Sequence, residues 1–289
     1  MRESNTQLQG FRFSAFAILT VSGLAAATAS ESVAFAPHRA VYEITLAKSV
    51  AGSGVVDMSG RMVYELGGSS CEGYTQNMRF VTRMTNQEGA DTINDLRTSS
   101  WEEMAQHRLR FSTTQYQNDT VTESSQGDAG PAKGGGKPAA DLVKPAKKHV
   151  SLPADIYFPM QHAAALIQAA KRGDTLLPAK LYDGSEKGEK YYVTTAVIGK
   201  KFAPGAIKNA AAFKDAGRLA GLASWPMSIS YFEMGQDKVD APPAYELSFR
   251  YYENGVTTDL KIDYGEFAIN GDLKEITFHD AGKCADAAP

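Results

Sequence analysis

The chain has 289 residues, a formal net charge of −3, 43% apolar and 10% aromatic residues, and two cysteines. That length supports one large core or two small ones. The charge balance excludes the basic footprint of a nucleic-acid-binding domain, and the absence of a Cys-x-x-Cys pair argues against thiol-exchange chemistry.

The first 29 residues read as a secretory signal peptide: Arg2 and Arg12 in a charged start, an apolar run over 13–26, and the small-x-small site Ala27-Thr28-Ala29. The run is shorter than the ~20 residues a membrane span needs. No second long apolar segment follows, so no transmembrane segment is expected after cleavage. Loss of Arg2, Arg12 and Glu3 leaves 28 basic and 32 acidic residues, a net −4.

Residues 30–289 read as a single β-rich domain. The stretch 40–47 alternates, with Tyr42, Ile44 and Leu46 on one face. Residues 53–66 continue with Val56, Met58, Met62, Tyr64 and Leu66 in phase, and Gly67-Gly68 is expected to turn the chain. The next strand, 73–84, turns Tyr74, Met78, Phe80 and Met84 inward and Arg79 and Arg83 outward; 86–89 is a turn. Strands at 92–101, 108–116 and near 120–125 complete a meander with one wet face. Glu102-Glu103 reads as the solvated end of its strand, and Asn118-Asp119-Thr120 matches a glycosylation acceptor.

Residues 127–148 break the alternation. They are rich in Gly, Pro, Ala and Lys, locally +3, and read as a mobile, basic surface insertion. Gly134-Gly135-Gly136-Lys137 lacks the spacing of a phosphate loop.

The clearest helix follows at 152–173. Met160, Ala163, Leu166, Ile167 and Ala170 share one face, opposite Gln161, Gln168 and Arg172. Pro159 suits the first turn, Lys171 and Arg172 the last, and Gly173 the left-handed stop. Strands at 176–182 and 191–198 flank a turn at 183–187, where Asp183 and Glu186 could be paired carboxylates, though their Asp-Gly-Ser sequence is more simply a turn. Residues 206–222 are alanine-rich and partly helical, weakened by Gly217 and Gly221. The C-terminal portion is strongly β: 225–233, a strand through Tyr245–Tyr251, a hairpin at Asn254-Gly255, 256–264, then 273–278 folded back at a second Asn-Gly, Asn270-Gly271.

About a dozen strands exceed what an open sheet carries flat. The expected fold is mainly β: a large, strongly curved antiparallel sheet, an incomplete barrel, with the central helix and a second short helix covering one face.

None of the five histidines (His38, His107, His149, His162, His279) is spaced for a metal site, and His162 reads as a packed structural residue. No catalytic motif stands out, and no cofactor or metal is indicated. Trp225, Tyr231, Tyr245, Phe249 and Tyr251 recur at strand spacing and line one face, either as plain core or as the aromatic wall of a ligand cavity. Cys71 and Cys284 pair readily in an exported chain; free thiols or an intermolecular bridge are the alternatives.

The ordered motifs HRAVYEITL at His38, GRMVYE at Gly60, LPADIYFPMQH at Leu152, LYDGSEKGEKYYVTTAVIGK at Leu181, SWPMSISYF at Ser224 and YELSFRYYENGV at Tyr245 resemble the EipB family of cell-envelope integrity proteins of Gram-negative bacteria. The resemblance implies a periplasmic location, a β-spiral carrying helices, a disulfide between Cys71 and Cys284, and a non-catalytic role in the envelope. The expected partners are a lipid, lipoprotein or peptide ligand and other envelope proteins. Its rivals are a scaffold acting only through protein contacts and a hydrolase with dispersed carboxylates.

Overall fold

The computed structural model describes residues 33–132, 136–206, 217–233 and 241–282; the proposed signal peptide and Cys284 lie outside them. The described chain builds one fifteen-stranded sheet and two helices, which bears out the curved β architecture with three more strands than the dozen expected.

The strand order explains the curvature. Strands β1 (His38–Ser49), β2 (Val55–Ser69), β3 (Gly73–Asn86), β4 (Asp91–Glu103), β5 (Arg108–Gln117), β6 (Thr120–Gly130), β7 (Ala139–Lys144) and β8 (Lys148–Ser151) step outward in one direction. The chain then passes to the opposite edge, β9 (Ile156–Tyr157), and returns through β10 (Leu176–Leu181), β11 (Tyr192–Ile198), β12 (Ser224–Glu233), β13 (Tyr245–Tyr252) and β14 (Thr257–Asp263). β15 (Phe267–Phe278) ends the walk, antiparallel to β1 in the middle of the sheet.

The two outermost strands, β8 and β9, are thus joined by residues 152–155 alone. So short a link spans at most about 18 Å, whereas fifteen strands laid flat would part their edges by roughly 65 Å. The sheet has to coil until its edges approach. They do not pair, so the barrel stays unclosed. Register shifts in β1 at Val41/Tyr42 and Leu46/Lys48, and in β5–β6 and β13–β14, supply local bends. Both edges are short, and β8 begins with a lysine, which discourages pairing with other chains.

Helix α1 (Pro159–Arg172) lies inside the coil. It begins later than expected because Ile156–Tyr157 pairs with β10 as a strand. Pro159 takes the first turn, and Gly173 closes the helix at φ 86°. Met160, Leu166, Ile167, Ala169 and Ala170 are buried against β10–β13, and small alanines permit this close approach. The second helix, α2 (Gly217–Ala220), contributes buried Leu219 to a cluster with Tyr42, Ile44 and Ile269. The rest of the expected 206–222 helix falls mostly outside the described residues.

Four sequence expectations are corrected. Gly67-Gly68 does not turn the chain; β2 runs on to Ser69. A register shift at Val55/Asp57 throws Val56 outward, 57% exposed. Asn270-Gly271 lies within β15, and the turn sits instead around Gly265, at φ 84°. A β-carbon on Gly271 would approach Leu260 Cδ2 to 2.9 Å, so this glycine serves close packing inside a strand.

The fourth concerns 127–148, which is mostly sheet rather than an insertion. Apart from 133–135, outside the described residues, it supplies the end of β6, all of β7 and the start of β8. Its small residues mark tight packing. Ala129 and Ala140 are buried with Leu142, Phe111, Phe158 and Tyr182, and a β-carbon on Gly127 would come within 2.7 Å of the Asp141 carbonyl.

Candidate functional site

The coiled sheet encloses more volume than α1 fills. A cavity of about 620 Å³ lies between α1, the inner faces of β1–β6 and those of β11–β14. Its apolar wall comes from both halves of the sheet: Phe35, Tyr64 and Phe80 on one side, Ile229, Leu247 and Phe249 on the other. Met160, Ala163 and Leu166 form the helical wall.

Of the five predicted aromatics, Tyr231, Tyr245, Phe249 and Tyr251 line this cavity. Trp225 does not. It is 2% exposed in the core, with Lys201 Nζ 5.8 Å from its ring centre, because it sits at the far end of β12. Phe249 and Tyr251 meet edge to face at 5.3 Å. The four lining aromatics are therefore core and cavity wall at once.

The cavity has an acidic end, built by the β10–β11 turn folding across to β5 and β6. Gly184, at φ +79°, lies flat against the Phe111 ring, where any β-carbon would collide. Ser125 Oγ donates to the Gly184 carbonyl at 2.6 Å, and Lys187 N–H donates to Glu123 Oε1 at 2.9 Å. Asp183 Oδ1 accepts the Ser185 N–H at 2.9 Å, the side-chain turn expected of Asp-Gly-Ser. Asp183, Glu186 and Glu123 all reach the cavity. Tyr192 Oη donates to Glu186 Oε1 at 3.1 Å. Burial pushes the Tyr192, Tyr231 and Tyr245 phenols up, with nearby carboxylate charge, Asp183 among it, adding to the shift.

His162 also lines the cavity, buried, with Nε2 3.5 Å from Thr194 Oγ1. Desolvation lowers it to about 4, so it is neutral at neutral pH, as a packed structural histidine should be. Among the described residues no group of three or more His, Cys, Asp or Glu is arranged to hold a metal.

A feature missed from sequence is Glu102. Read as solvated, it is fully buried, and its carboxylate accepts the Met160 and Gln161 N–H groups at 2.7 and 2.9 Å. Phe158, the N-cap of α1, has no side-chain oxygen, so Glu102 caps the helix from β4 instead. Burial raises the Glu102 carboxyl to about 7 against the pull of the two N–H donors. The only sequence signal is an acid directly after the expected strand, with no partner in view. Cys71 is exposed in the turn between β2 and β3; its expected partner Cys284 lies outside the described residues.

No described helix is long and apolar enough to cross a membrane. The sequence profile of the EipB-like family matches residues 29–280. The cell envelope integrity protein EipB of Brucella abortus (strain 2308) is 35% identical over 258 residues, covering 89% of each chain. The crystal structure of a beta-barrel-like protein of a domain of unknown function, also from Brucella abortus, superposes with a TM-score of 0.78 at 34% identity, over 86% of this chain and 100% of that one. Profile, identity and superposed fold agree along nearly the whole described chain: this protein belongs to the EipB-like family.

Proposed function

We propose that this chain is a non-catalytic periplasmic protein that supports cell-envelope integrity by holding an apolar ligand (a lipid, a lipoprotein tail or a peptide) in the cavity beneath α1. The observation that carries the reading is the cavity itself, about 620 Å³ with aromatic and aliphatic walls from both halves of one sheet. Its size is that of a ligand site, and its walls match an apolar guest. Burial of apolar surface would drive binding at ~25 cal/mol per Å² before association costs. The likeness to EipB, a protein named for cell-envelope integrity, supports the setting. The carboxyl with the most displaced acidity, Glu102, commits both oxygens to helix N–H groups, which weighs against a hydrolytic role. Removal of residues 1–29 as a signal peptide and a Cys71–Cys284 disulfide belong to the same reading.

Native mass spectrometry of protein purified from periplasm, followed by solvent extraction, tests it. A stoichiometric lipid or peptide is expected. A clean apo mass, together with no uptake of a neutral hydrophobic dye, would overturn it in favour of a scaffold acting through protein contacts.

A further inference from the structure

The cavity is chemically lopsided. Among the described residues none of its lining is a lysine or arginine, whereas three are carboxylates, Glu123, Asp183 and Glu186, all at the end formed by the β10–β11 turn. Each carboxylate is oriented by a neutral donor: Lys187 N–H to Glu123, Ser185 N–H to Asp183, the Tyr192 hydroxyl to Glu186. One cation comes near, Lys190 Nζ, at 4.0 Å from Glu186 Oε2, but it lies closer to Glu233 Oε2, at 3.0 Å. Among the described residues the negative charge at this end is largely uncompensated.

The same end carries a group of tyrosine rings. Tyr192 stands nearly perpendicular to Tyr231 and Tyr245, at 5.7 Å and 86° and at 5.9 Å and 78°. Tyr231 and Tyr245 stack at 4.4 Å, and Tyr264 adds a fourth ring 6.2 Å from Tyr245. All four line the cavity. Ring faces at an angle to one another, beside carboxylates, attract ammonium groups through the negative face of the π-system. The remaining wall is mainly apolar, with neutral polar residues such as Thr98, Ser100, Thr113 and Gln115 among it. It is interrupted by Gln76, whose Oε1 accepts the Tyr64 hydroxyl at 3.1 Å while its buried Nε2 has no acceptor among the described residues. That amide marks a second point where an occupant meets the wall through an acceptor atom.

We propose, building on the reading of the cavity as a binding site, that its ligand is a cationic amphiphile, with an ammonium head among Tyr192, Tyr231, Tyr245, Asp183 and Glu186 and a hydrocarbon chain along the Phe249, Leu247 and α1 wall. Fatty acids and other anionic amphiphiles are disfavoured, because their head would face three carboxylates with no cation among the described lining residues. His162 does not alter this balance: desolvation keeps it neutral at neutral pH.

Three probes with the same dodecyl chain test the assignment by calorimetric titration below their micellar concentrations: dodecyltrimethylammonium, dodecyl maltoside and laurate. The ammonium probe is expected to bind about tenfold more tightly than the other two. The double variant Asp183→Asn/Glu186→Gln is expected to erase that advantage, with an unchanged circular-dichroism spectrum and unfolding midpoint as the folding control. Equal affinities, or a preference for laurate, would overturn the cationic head while the cavity stands as a binding site. Failure of all three to bind would overturn both.

Discussion

The Glu102 carboxylate accepts the Met160 N–H at 2.7 Å across 58 residues of sequence, and so fastens the start of α1 to the end of β4. The bond answers the N–H groups that every helix leaves unpaired at its start. Because burial raises this carboxyl to about 7, above the ordinary 4.5, the folded state holds the proton more tightly than the unfolded chain. Its contribution is complete below about pH 4.5 and is lost as pH rises through about 7, a change on the order of 3 kcal/mol. His162 has the opposite sign: lowered to about 4, it takes away stability as pH falls from 6.5 toward that value. The wild-type profile therefore mixes the two, and the difference between wild type and Glu102→Gln isolates the first. Urea unfolding should show this variant most destabilised, relative to wild type, near pH 4.5, with the gap narrowing by pH 7.5. A gap independent of pH would show that Glu102 titrates normally.

Ala163 projects from α1 into the cavity with room beside it. Ala163→Leu should occupy that room, lowering the affinity for the neutral dye N-phenyl-1-naphthylamine about tenfold while moving Tm by no more than about 2 °C. Unchanged dye affinity would place the binding elsewhere. Phe249→Ala is a poorer probe, because Phe249 is only 7% exposed and its truncation should cost about 3 kcal/mol through lost packing.

Gly184 holds the β10–β11 turn against Phe111, with a positive φ and no room for a side chain. Gly184→Ala adds left-handed strain to an overpacked contact, for a loss of about 2–4 kcal/mol in chemical unfolding. The double variant Gly184→Ala/Phe111→Ala should recover part of that loss relative to Phe111→Ala alone. Simple additivity of the two substitutions would mean that the ring is not the obstacle.

The proposed Cys71–Cys284 bridge draws support from the end of the described chain. Gly282, the last described residue, lies so near the carboxylate of Glu72, the neighbour of Cys71, that a β-carbon there would collide with it. No described cysteine is a free thiol. Cys71→Ser should lose up to about 5 kcal/mol relative to oxidised wild type, and nothing relative to wild type in excess reductant. Equal stability of the two proteins under oxidising conditions would refute a stabilising bridge.

What sequence reveals here depends on how local the cause is. Asn254-Gly255 was legible because its hairpin is closed by its own residues, with Gly255 at φ 86°. The identical dipeptide at Asn270-Gly271 misled because the reason for its glycine, the Leu260 side chain, belongs to the neighbouring strand. α1 was legible from its periodicity and stop signals, but not its cap, because Glu102 is remote in sequence. Alternation in β12 and β13 puts all five aromatics on one face, but Tyr231, Tyr245, Phe249 and Tyr251 border the cavity and Trp225 does not; position along a strand decides which side chains face the void. At the carboxylate end, sequence offers Asp183 and Glu186 as paired carboxylates or, more simply, as a turn, and cannot choose, since their meeting with Glu123 and Phe111 exists only once the sheet coils.

The placement of β1 beside β15 carries a cost during biosynthesis. A ribosome releases the first strand long before the last, so β1 waits with one ladder of N–H and C=O groups unpaired while everything between is made. Closing that seam is a pairing of very high contact order, expected to be slow. Until it forms, a nascent molecule offers a ready template to any other extended chain, including a second nascent copy of itself. A protein wound in this way has reason to depend on a holding chaperone early in its life, even though the finished sheet keeps both of its true edges short.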